Sequence, residues 1–147
     1  MKLTSTITLP PDVVSRTLSI IAQKGAGKTY CGMKLTEEML TAKAQVVCLD
    51  PTGVWWGLKA RGDGPGFAIL VMGGQHADIP LAHTSGTIVA DFVVKSGQSV
   101  VLDLSAFDSN RQQNQFVTDF AERRFRAKSS DRTPIHLMLD EADSFAP

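Results

Sequence analysis

The stretch Ala22-Gln-Lys-Gly-Ala-Gly-Lys-Thr29 carries the strongest structural signal in this sequence. The apolar run Thr17-Leu-Ser-Ile-Ile-Ala22 before it predicts a buried strand, and apolar side chains at helical spacing predict a helix over residues 29–42. Glycines in a strand–helix turn allow successive backbone N–H groups to point inward around phosphate oxygens. The helix N-terminus adds partial positive charge, so this turn is suited to binding a phosphate.

The order of strand, turn and helix identifies the stretch as a P-loop, in which Ala22 replaces the first glycine of G-x-x-x-x-G-K-[ST]. We expect Lys28 to reach the β- and γ-phosphates of ATP, with a catalytic role, and Thr29 to be a ligand of Mg²⁺. The predicted nucleotide-binding residues are Lys24, Gly25, Ala26, Gly27, Lys28, Thr29 and Tyr30. The alternative is a glycine-rich turn that contains Gly-Lys-Thr by chance.

A second motif, Ile135-His-Leu-Met-Leu-Asp140-Glu141, is an apolar run that ends in two carboxylates, as in a Walker B strand. Two other apolar runs end at Asp50 and Asp103, and ligands of parallel sheets bind at such strand ends. Only Asp140 is followed by a second acidic residue. We therefore expect Asp140 to bind Mg²⁺, directly or through water, and Glu141 to be the catalytic general base. The alternative is a solvated acidic turn.

The remaining pattern alternates apolar strands with helices. It predicts strands over residues 45–49, 67–71, 99–103 and 135–139, helices over 29–42, 84–95 and 108–128, and a Gly/Pro-rich loop over 51–66. In the last helix, Phe116, Phe120 and Ala121 are expected to face the core. Continuous apolar strands between helices indicate an α/β fold with a mostly parallel sheet and helices on both faces.

Composition limits the class of protein. A length of 147 residues fits one domain, and a formal net charge of zero argues against a strongly basic nucleic-acid coat. No apolar run approaches the length of a membrane span, and hydroxyl residues interrupt the start where a signal peptide would be apolar. The two cysteines form neither a zinc motif nor a disulfide framework. We expect a cytoplasmic protein with no membrane partner.

Four segments together resemble the HerA/FtsK-like P-loop ATPases, most closely the HerA-type ATP-binding proteins of bacteria and phages. They are the P-loop, Asp50-Pro-Thr-Gly53, Val101-Leu-Asp-Leu-Ser105 and Leu139-Asp-Glu-Ala-Asp-Ser-Phe-Ala-Pro147. The resemblance covers most of the chain. It implies a RecA-like P-loop NTPase core, ATP and Mg²⁺ as cofactors, and ATP hydrolysis that drives DNA translocation or unwinding. It also implies a homo-oligomeric, hexameric ring that often works beside a partner nuclease.

The sequence departs from this family in two places. Only about 16 residues precede the predicted P-loop strand, where HerA proteins usually carry a β-barrel. RecA-like sheets also have further strands after Walker B, one of which inserts between the Walker B and P-loop strands. We therefore expect residues 1–147 to be the N-terminal portion of a single P-loop ATPase domain, and we expect this portion alone to be a poor catalyst.

Two weaker signals concern nucleic acid. Trp55 and Trp56 are expected either to stack on adenine or on a nucleic-acid base or, more commonly, to anchor their loop on the core. Residues 111–132 contain six basic against three acidic residues, which suits contact with DNA phosphates, contact with a neighbouring subunit or, as we favour, a solvated helix face. The alternative functions are an ATP-binding regulatory module without independent turnover and a P-loop kinase. Glu141 disfavours the kinase, because it is suited to activating water.

Overall fold

The computed structural model of this protein describes residue 1 and residues 4–10, 12–13, 16–61, 64–128 and 133–145. Within these residues the helices are α1 (Lys28–Thr41), α2 (Gly86–Ser96) and α3 (Asn110–Ala127). The strands are β1 (Gln45–Asp50), β2 (Ala60–Arg61), β3 (Gly64–Pro65), β4 (Leu70–Met72), β5 (Val100–Asp103) and β6 (Ile135–Leu139). Short 3₁₀ helices span Trp55–Lys59 and Ala142–Ser144.

Four of these strands form one parallel sheet in the order β4-β5-β1-β6, so the predicted α/β fold with a parallel sheet is confirmed. Asp50 at the end of β1 is in register with Asp103 at the end of β5. On the other side of β1, Leu49 is in register with Leu139, which places Asp140 one residue further along the same edge. The three aspartates therefore lie at the carboxyl edge of the sheet, as predicted.

Alternate residues of β1 belong to two separate hydrophobic clusters, because successive side chains of a strand point to opposite faces. Val47 and Leu49 pack in one cluster, and Val46 and Cys48 pack in the other. The first cluster draws on α2 and α3 through Val89, Val93, Phe116 and Phe120. The second draws on α1 and the first 3₁₀ helix through Leu35, Met39, Trp55 and Leu58. Helices therefore cover both faces of the sheet, as expected.

Helix α3 shows how spacing determines which side chains are buried. Phe116 and Phe120 are four residues apart on one stripe, and both are fully buried. The prediction that Ala121 also faces the core is wrong, since Ala121 is exposed. It lies about 100° around the helix from Phe120, which turns it away from the core. Ser109 caps the start of this helix by accepting a 3.4 Å hydrogen bond from the N–H of Gln112.

The Gly/Pro-rich region after β1 is more structured than predicted. The first 3₁₀ helix anchors it on the sheet, and β2 and β3 then form a small antiparallel pair. The strand predicted over residues 67–71 is also shifted, because β4 begins only at Leu70. The N–H of Phe67 instead donates to the carbonyl of Leu58 at 3.0 Å, which ties this residue to the 3₁₀ helix rather than to the sheet.

The strand predicted over residues 17–22 is wrong. This segment has no strand assignment, and the side chain of Ile21 is 91% exposed. A strand needs a neighbour that accepts its hydrogen bonds, and among the described residues the sheet ends at β6, which pairs with β1 alone. The P-loop is therefore held by the packing of α1 on the sheet and not by a strand before it. Among the described residues, no helix is both long and apolar enough to cross a bilayer.

Candidate active site

The predicted P-loop turn contains two glycines in the left-handed conformation. Gly25 and Gly27 have φ angles of 80° and 89°, in the left-handed region that favours glycine. A Cβ at either position would meet nothing within 4 Å, so the backbone conformation, and not crowding, calls for glycine here. Gly27 is the N-cap of α1 and gives no side-chain cap. The first N–H groups of this helix are thus available to a phosphate.

The predicted P-loop side chains lie at the start of α1. Lys28 and Thr29 are its first two residues and are half-buried, whereas Tyr30 is 78% exposed. The preceding residues of the loop, including Lys24 and Ala26, are exposed. The loop is therefore open to a ligand from solution, with Thr29 turned toward the sheet.

Thr29 and Asp140 meet at the carboxyl edge of the sheet although 111 residues separate them. The Thr29 hydroxyl donates to the two carboxylate oxygens of Asp140, at 3.4 Å from each. A hydroxyl and a carboxylate are oxygen ligands, which Mg²⁺ prefers, and Mg²⁺ commonly takes one or two protein carboxylates together with substrate phosphates and water. In the part of the chain that the structure describes, no group of three or more His, Cys, Asp or Glu side chains is placed to hold a metal ion, so a cation at this pair would take its other ligands from phosphate and water. The two residues that the sequence predicted as Mg²⁺ ligands, Thr29 and Asp140, therefore lie close enough to bind one cation.

Three further hydrogen bonds hold Asp140 in place. Its N–H donates to the carbonyl of Leu49 at 3.2 Å, which continues the pairing of β6 with β1. Its Oδ2 accepts the indole N–H of Trp55 at 2.9 Å, and its Oδ1 accepts the N–H of Glu141 at 3.1 Å. The residue is only 8% exposed. The carboxylate of Asp140 is therefore oriented by the protein before any ligand binds.

Glu141 has an unusual backbone conformation. Its φ of 46° and ψ of 51° lie in the left-handed region, which costs a non-glycine residue about 1–3 kcal/mol. It is the N-cap of the second 3₁₀ helix, and its carbonyl accepts the N–H of Ser144 at 2.8 Å. The side chain is exposed beside Asp140. Such residues are frequent at active sites and also at helix ends, where Lys43 has a φ of 60° after α1, so this conformation alone does not assign a role to Glu141.

Asp50 differs from Asp140, because its carboxylate is fully occupied by its own loop. Oδ1 accepts the N–H and hydroxyl of Thr52 and the N–H of Gly53, all within 2.9 Å, and Oδ2 accepts the N–H of Trp55 at 2.8 Å. Burial raises the pKa of the Asp50 carboxyl, while these four donors act in the opposite direction. Asp50 is therefore a structural residue that fixes the loop after β1.

The loops after β1 and β5 also brace each other. Asp103 Oδ1 accepts the N–H and hydroxyl of Ser105 at 2.9 and 2.6 Å. Gly53 has a φ of 74°, and a Cβ on it would lie 2.6 Å from the Ser105 hydroxyl oxygen. Only glycine allows this approach. The segments around Asp50 and Asp103, which contribute to the family resemblance, thus stabilise the edge of the sheet that carries Asp140.

Trp55 has a role that the sequence did not reveal. It is 1% exposed and anchors its loop on the core, as expected. In addition, its indole N–H donates a hydrogen bond to the carboxylate of Asp140. The two residues are 85 positions apart, so no local pattern predicts the contact. Trp56 instead stacks on His76, with ring centroids 3.8 Å apart.

The basic residues of α3 are largely engaged within the protein. Arg123 makes a two-pronged ion pair with Asp91, at 2.7 and 2.9 Å. Arg124 donates to the carbonyl of Ile135 at 3.1 Å, and burial lowers the pKa of its guanidinium. Arg126 pairs with Glu122. Lys128, the C-cap of α3, donates to the carbonyl of Thr133. Asp131 and Arg132, which are counted in the predicted charge of this stretch, lie outside the described residues. These contacts favour the solvated helix face over a dedicated DNA contact.

The fold and the site thus define an α/β protein with a candidate phosphate-binding turn and a candidate metal-binding pair at the carboxyl edge of a parallel sheet. Comparison with models of protein families, with characterised proteins and with solved structures finds no match for this chain. The resemblance to HerA/FtsK-like ATPases therefore stays a hypothesis that rests on four short segments of the sequence.

Proposed function

We propose that this chain is the core of a P-loop ATPase that binds and hydrolyses ATP with Mg²⁺. The observation that carries the proposal is the contact between Thr29 and Asp140, because the two predicted metal ligands come from distant motifs and meet at one point. A chance Gly-Lys-Thr turn would have no reason to face an aspartate at the end of another strand. Free N–H groups at the start of α1 support the same function.

Each residue of the site has a distinct role in this proposal. The N–H groups of the P-loop and the ammonium group of Lys28 bind the β- and γ-phosphates. Thr29 and Asp140 hold Mg²⁺, which when bound neutralises charge on the phosphates. The Glu141 carboxylate accepts a proton from the water that attacks the γ-phosphorus. Its exposure beside Asp140 keeps it accessible to that water.

We further propose that hydrolysis drives translocation or unwinding of DNA in the cytoplasm, by a hexameric ring that works with a partner nuclease. The support is the resemblance of the four sequence segments to HerA-type proteins. The two free thiols, Cys31 and Cys48, are compatible with a reducing compartment. A ring would also allow a neighbouring subunit to supply an arginine to the γ-phosphate.

A second candidate is an ATP-binding regulatory module without independent turnover. The position of residues 17–22 outside the sheet favours it, because the P-loop then lacks the strand that would fix it relative to β6. Binding of ATP needs mainly the local turn, whereas hydrolysis also needs the P-loop and Glu141 to be held in register. The two candidates therefore differ in turnover and agree in binding.

The two candidates can be separated by measuring binding of a fluorescent ATP analogue and ATP turnover, with and without duplex DNA. Lys28→Ala tests the site, and Lys95→Ala, at the exposed end of α2, is the matched loss of one charge elsewhere. Metal-dependent binding with DNA-stimulated turnover supports the ATPase. Binding without turnover supports the regulatory module. No difference in binding between Lys28→Ala and Lys95→Ala excludes both.

A further inference from the structure

We propose that Trp55 is a positioning residue that holds Asp140 in the orientation required for binding a divalent cation, and that it spaces Asp140 from the P-loop helix. This inference rests on the proposed nucleotide site and adds to it a residue outside both sequence motifs. Trp55 touches neither the phosphates nor the cation in this proposal. It acts through the carboxylate of Asp140.

The indole of Trp55 bridges the two halves of the site. One edge of the ring donates its N–H to Asp140 Oδ2 at 2.9 Å. The six-membered ring of the same indole lies against α1 at Gly32, where a Cβ would be 3.2 Å from Cη2 and 3.5 Å from Cζ2. The side chain is 1% exposed, so water does not compete for either contact. The ring is thus packed between the P-loop helix and the end of β6.

The position of Gly32 links this packing to the metal-binding pair. Gly32 follows Thr29 by three residues on α1, so the two lie on neighbouring positions of one helix face. The indole therefore sets the distance of that face from Asp140. A larger residue at position 32 would force the ring or the helix to move, whereas glycine allows the close approach.

The backbone of Trp55 is itself fixed. Its N–H donates at 2.8 Å to Oδ2 of Asp50, which is fully buried at the end of β1. A continuous series of hydrogen bonds therefore runs from Asp50 through Trp55 to Asp140 and Thr29. Each donor and acceptor in it comes from a different element of the fold. The hydrogen bond from the indole N–H restricts rotation of the Asp140 carboxylate. An aromatic ring without this donor would pack beside the carboxylate but would leave it free to rotate.

The proposal predicts a specific loss in Trp55→Phe, which keeps a ring in the core but removes the N–H donor. Removal of such a supporting hydrogen bond commonly lowers metal affinity 10–100-fold. We expect the Mg²⁺ concentration that gives half-maximal binding of a fluorescent ATP analogue to rise about 10-fold or more. Affinity for the same analogue in EDTA should change less than about 2-fold, since the P-loop contacts are intact.

The matched control is Trp56→Phe, which alters the neighbouring tryptophan that stacks on His76. It also leaves Trp55 as the sole tryptophan of the protein. In this variant the emission of Trp55 should shift when Mg²⁺ is added to the complex with unlabelled ATP, and the Mg²⁺ midpoint should equal that of the wild type. Raising Mg²⁺ should restore wild-type nucleotide affinity to Trp55→Phe, which a general packing defect would not allow.

An unchanged Mg²⁺ midpoint in a folded Trp55→Phe protein would overturn the proposal. If Trp55→Phe fails to fold, as judged by circular dichroism, an emission of Trp55 that ignores Mg²⁺ in Trp56→Phe with ATP bound overturns it instead. Failure of the proposed function is distinguishable, because the wild type would then show no metal-dependent binding of the analogue at all. In that case this inference falls with it.

Discussion

The hydroxyl of Thr29 lies 3.4 Å from each carboxylate oxygen of Asp140. The first residue belongs to the helix that follows the glycine-rich turn, and the second follows the edge strand of the sheet. The contact joins two motifs that the sequence presents separately. Both recorded contacts come from one hydroxyl oxygen, which makes Thr29 the first residue to test.

Thr29→Ala is expected to raise the Mg²⁺ requirement for nucleotide binding about 10-fold, while Thr29→Ser keeps the hydroxyl and stays near the wild type. The free energy of unfolding should change by no more than about 1 kcal/mol, since the bond is long and half-buried. Mg²⁺ titration of analogue binding measures the first effect, and denaturant unfolding measures the second. An equal Mg²⁺ requirement in Thr29→Ala and Thr29→Ser would show that the hydroxyl is not a ligand of the cation.

Lys28→Ala should remove most nucleotide binding and leave the fold intact. Lys28 lies at the start of α1 beside the exposed loop, so its ammonium group contributes charge to a ligand more than contacts to the core. We expect a loss of affinity of about 100-fold, as for removal of a charge-assisted bond of 2–3 kcal/mol. Calorimetric binding of ATP and a thermal melt of each protein provide the test. Retained affinity would contradict the assignment of the turn as a P-loop.

Glu141→Gln should keep ATP bound and abolish its hydrolysis. Glutamine has nearly the same shape but cannot accept a proton, and Asp140 keeps its three hydrogen-bond donors. The measurement is single-turnover cleavage of radiolabelled ATP at protein in excess over nucleotide. Glu37→Gln, at a half-buried position of α1 that pairs with Lys34, is the control. Cleavage at the wild-type rate in Glu141→Gln would exclude its role as general base.

The sequence predicted the parallel sheet, because continuous apolar runs alternate with helices along the chain, whereas the strand order and the register of β1 with β5 and β6 come from the structure. It named Thr29 and Asp140 as two ligands of Mg²⁺ from separate motifs, and the structure brings these two residues into contact, while binding of the cation stays a prediction. It did not predict the contact of Trp55 with Asp140, because that contact depends on how a glycine-rich loop folds across the sheet. It was wrong about residues 17–22, since an apolar run describes a strand but not whether a neighbour is present.

Asp50→Asn is expected to destabilise the protein. An asparagine has one oxygen and one NH₂ group in place of the two carboxylate oxygens. Its NH₂ group must therefore face either the N–H of Trp55 or the three donors of Thr52 and Gly53. Either orientation leaves the buried N–H of Trp55 or the partly buried donors of Thr52 and Gly53 without an acceptor, at a cost of about 2–3 kcal/mol. Denaturant unfolding followed by circular dichroism measures the loss of free energy.

Asp103→Asn is the matched control for that variant. Oδ1 of Asp103 accepts both bonds from Ser105, so an asparagine can keep an oxygen at that position and lose less. The expected loss is under about 1.5 kcal/mol. Equal losses in the two variants would contradict the assignment of Asp50 as the residue that fixes the loop after β1.

The last prediction concerns catalysis by the 147-residue chain on its own. We expect Mg-ATP to bind weakly and to turn over slowly, because residues 17–22 lie outside the sheet and β6 is its edge strand. The P-loop and Glu141 are then connected mainly through α1, Trp55 and Asp140. Displacements of about 1 Å can lower the rate a hundredfold. These few contacts are therefore not expected to hold the P-loop and Glu141 in register well enough for efficient catalysis.

An arginine supplied by a neighbouring subunit accelerates other P-loop enzymes by about 10³–10⁵-fold, and a dilute monomer would have none. Turnover should therefore stay below about 0.01 per second, against about 1–100 per second for efficient phosphoryl-transfer enzymes. The test is a coupled ATPase assay on a monodisperse preparation, with and without duplex DNA, in which Glu141→Gln gives the background rate. Turnover near one per second above that background would show that α1 and Trp55 alone hold the site in register.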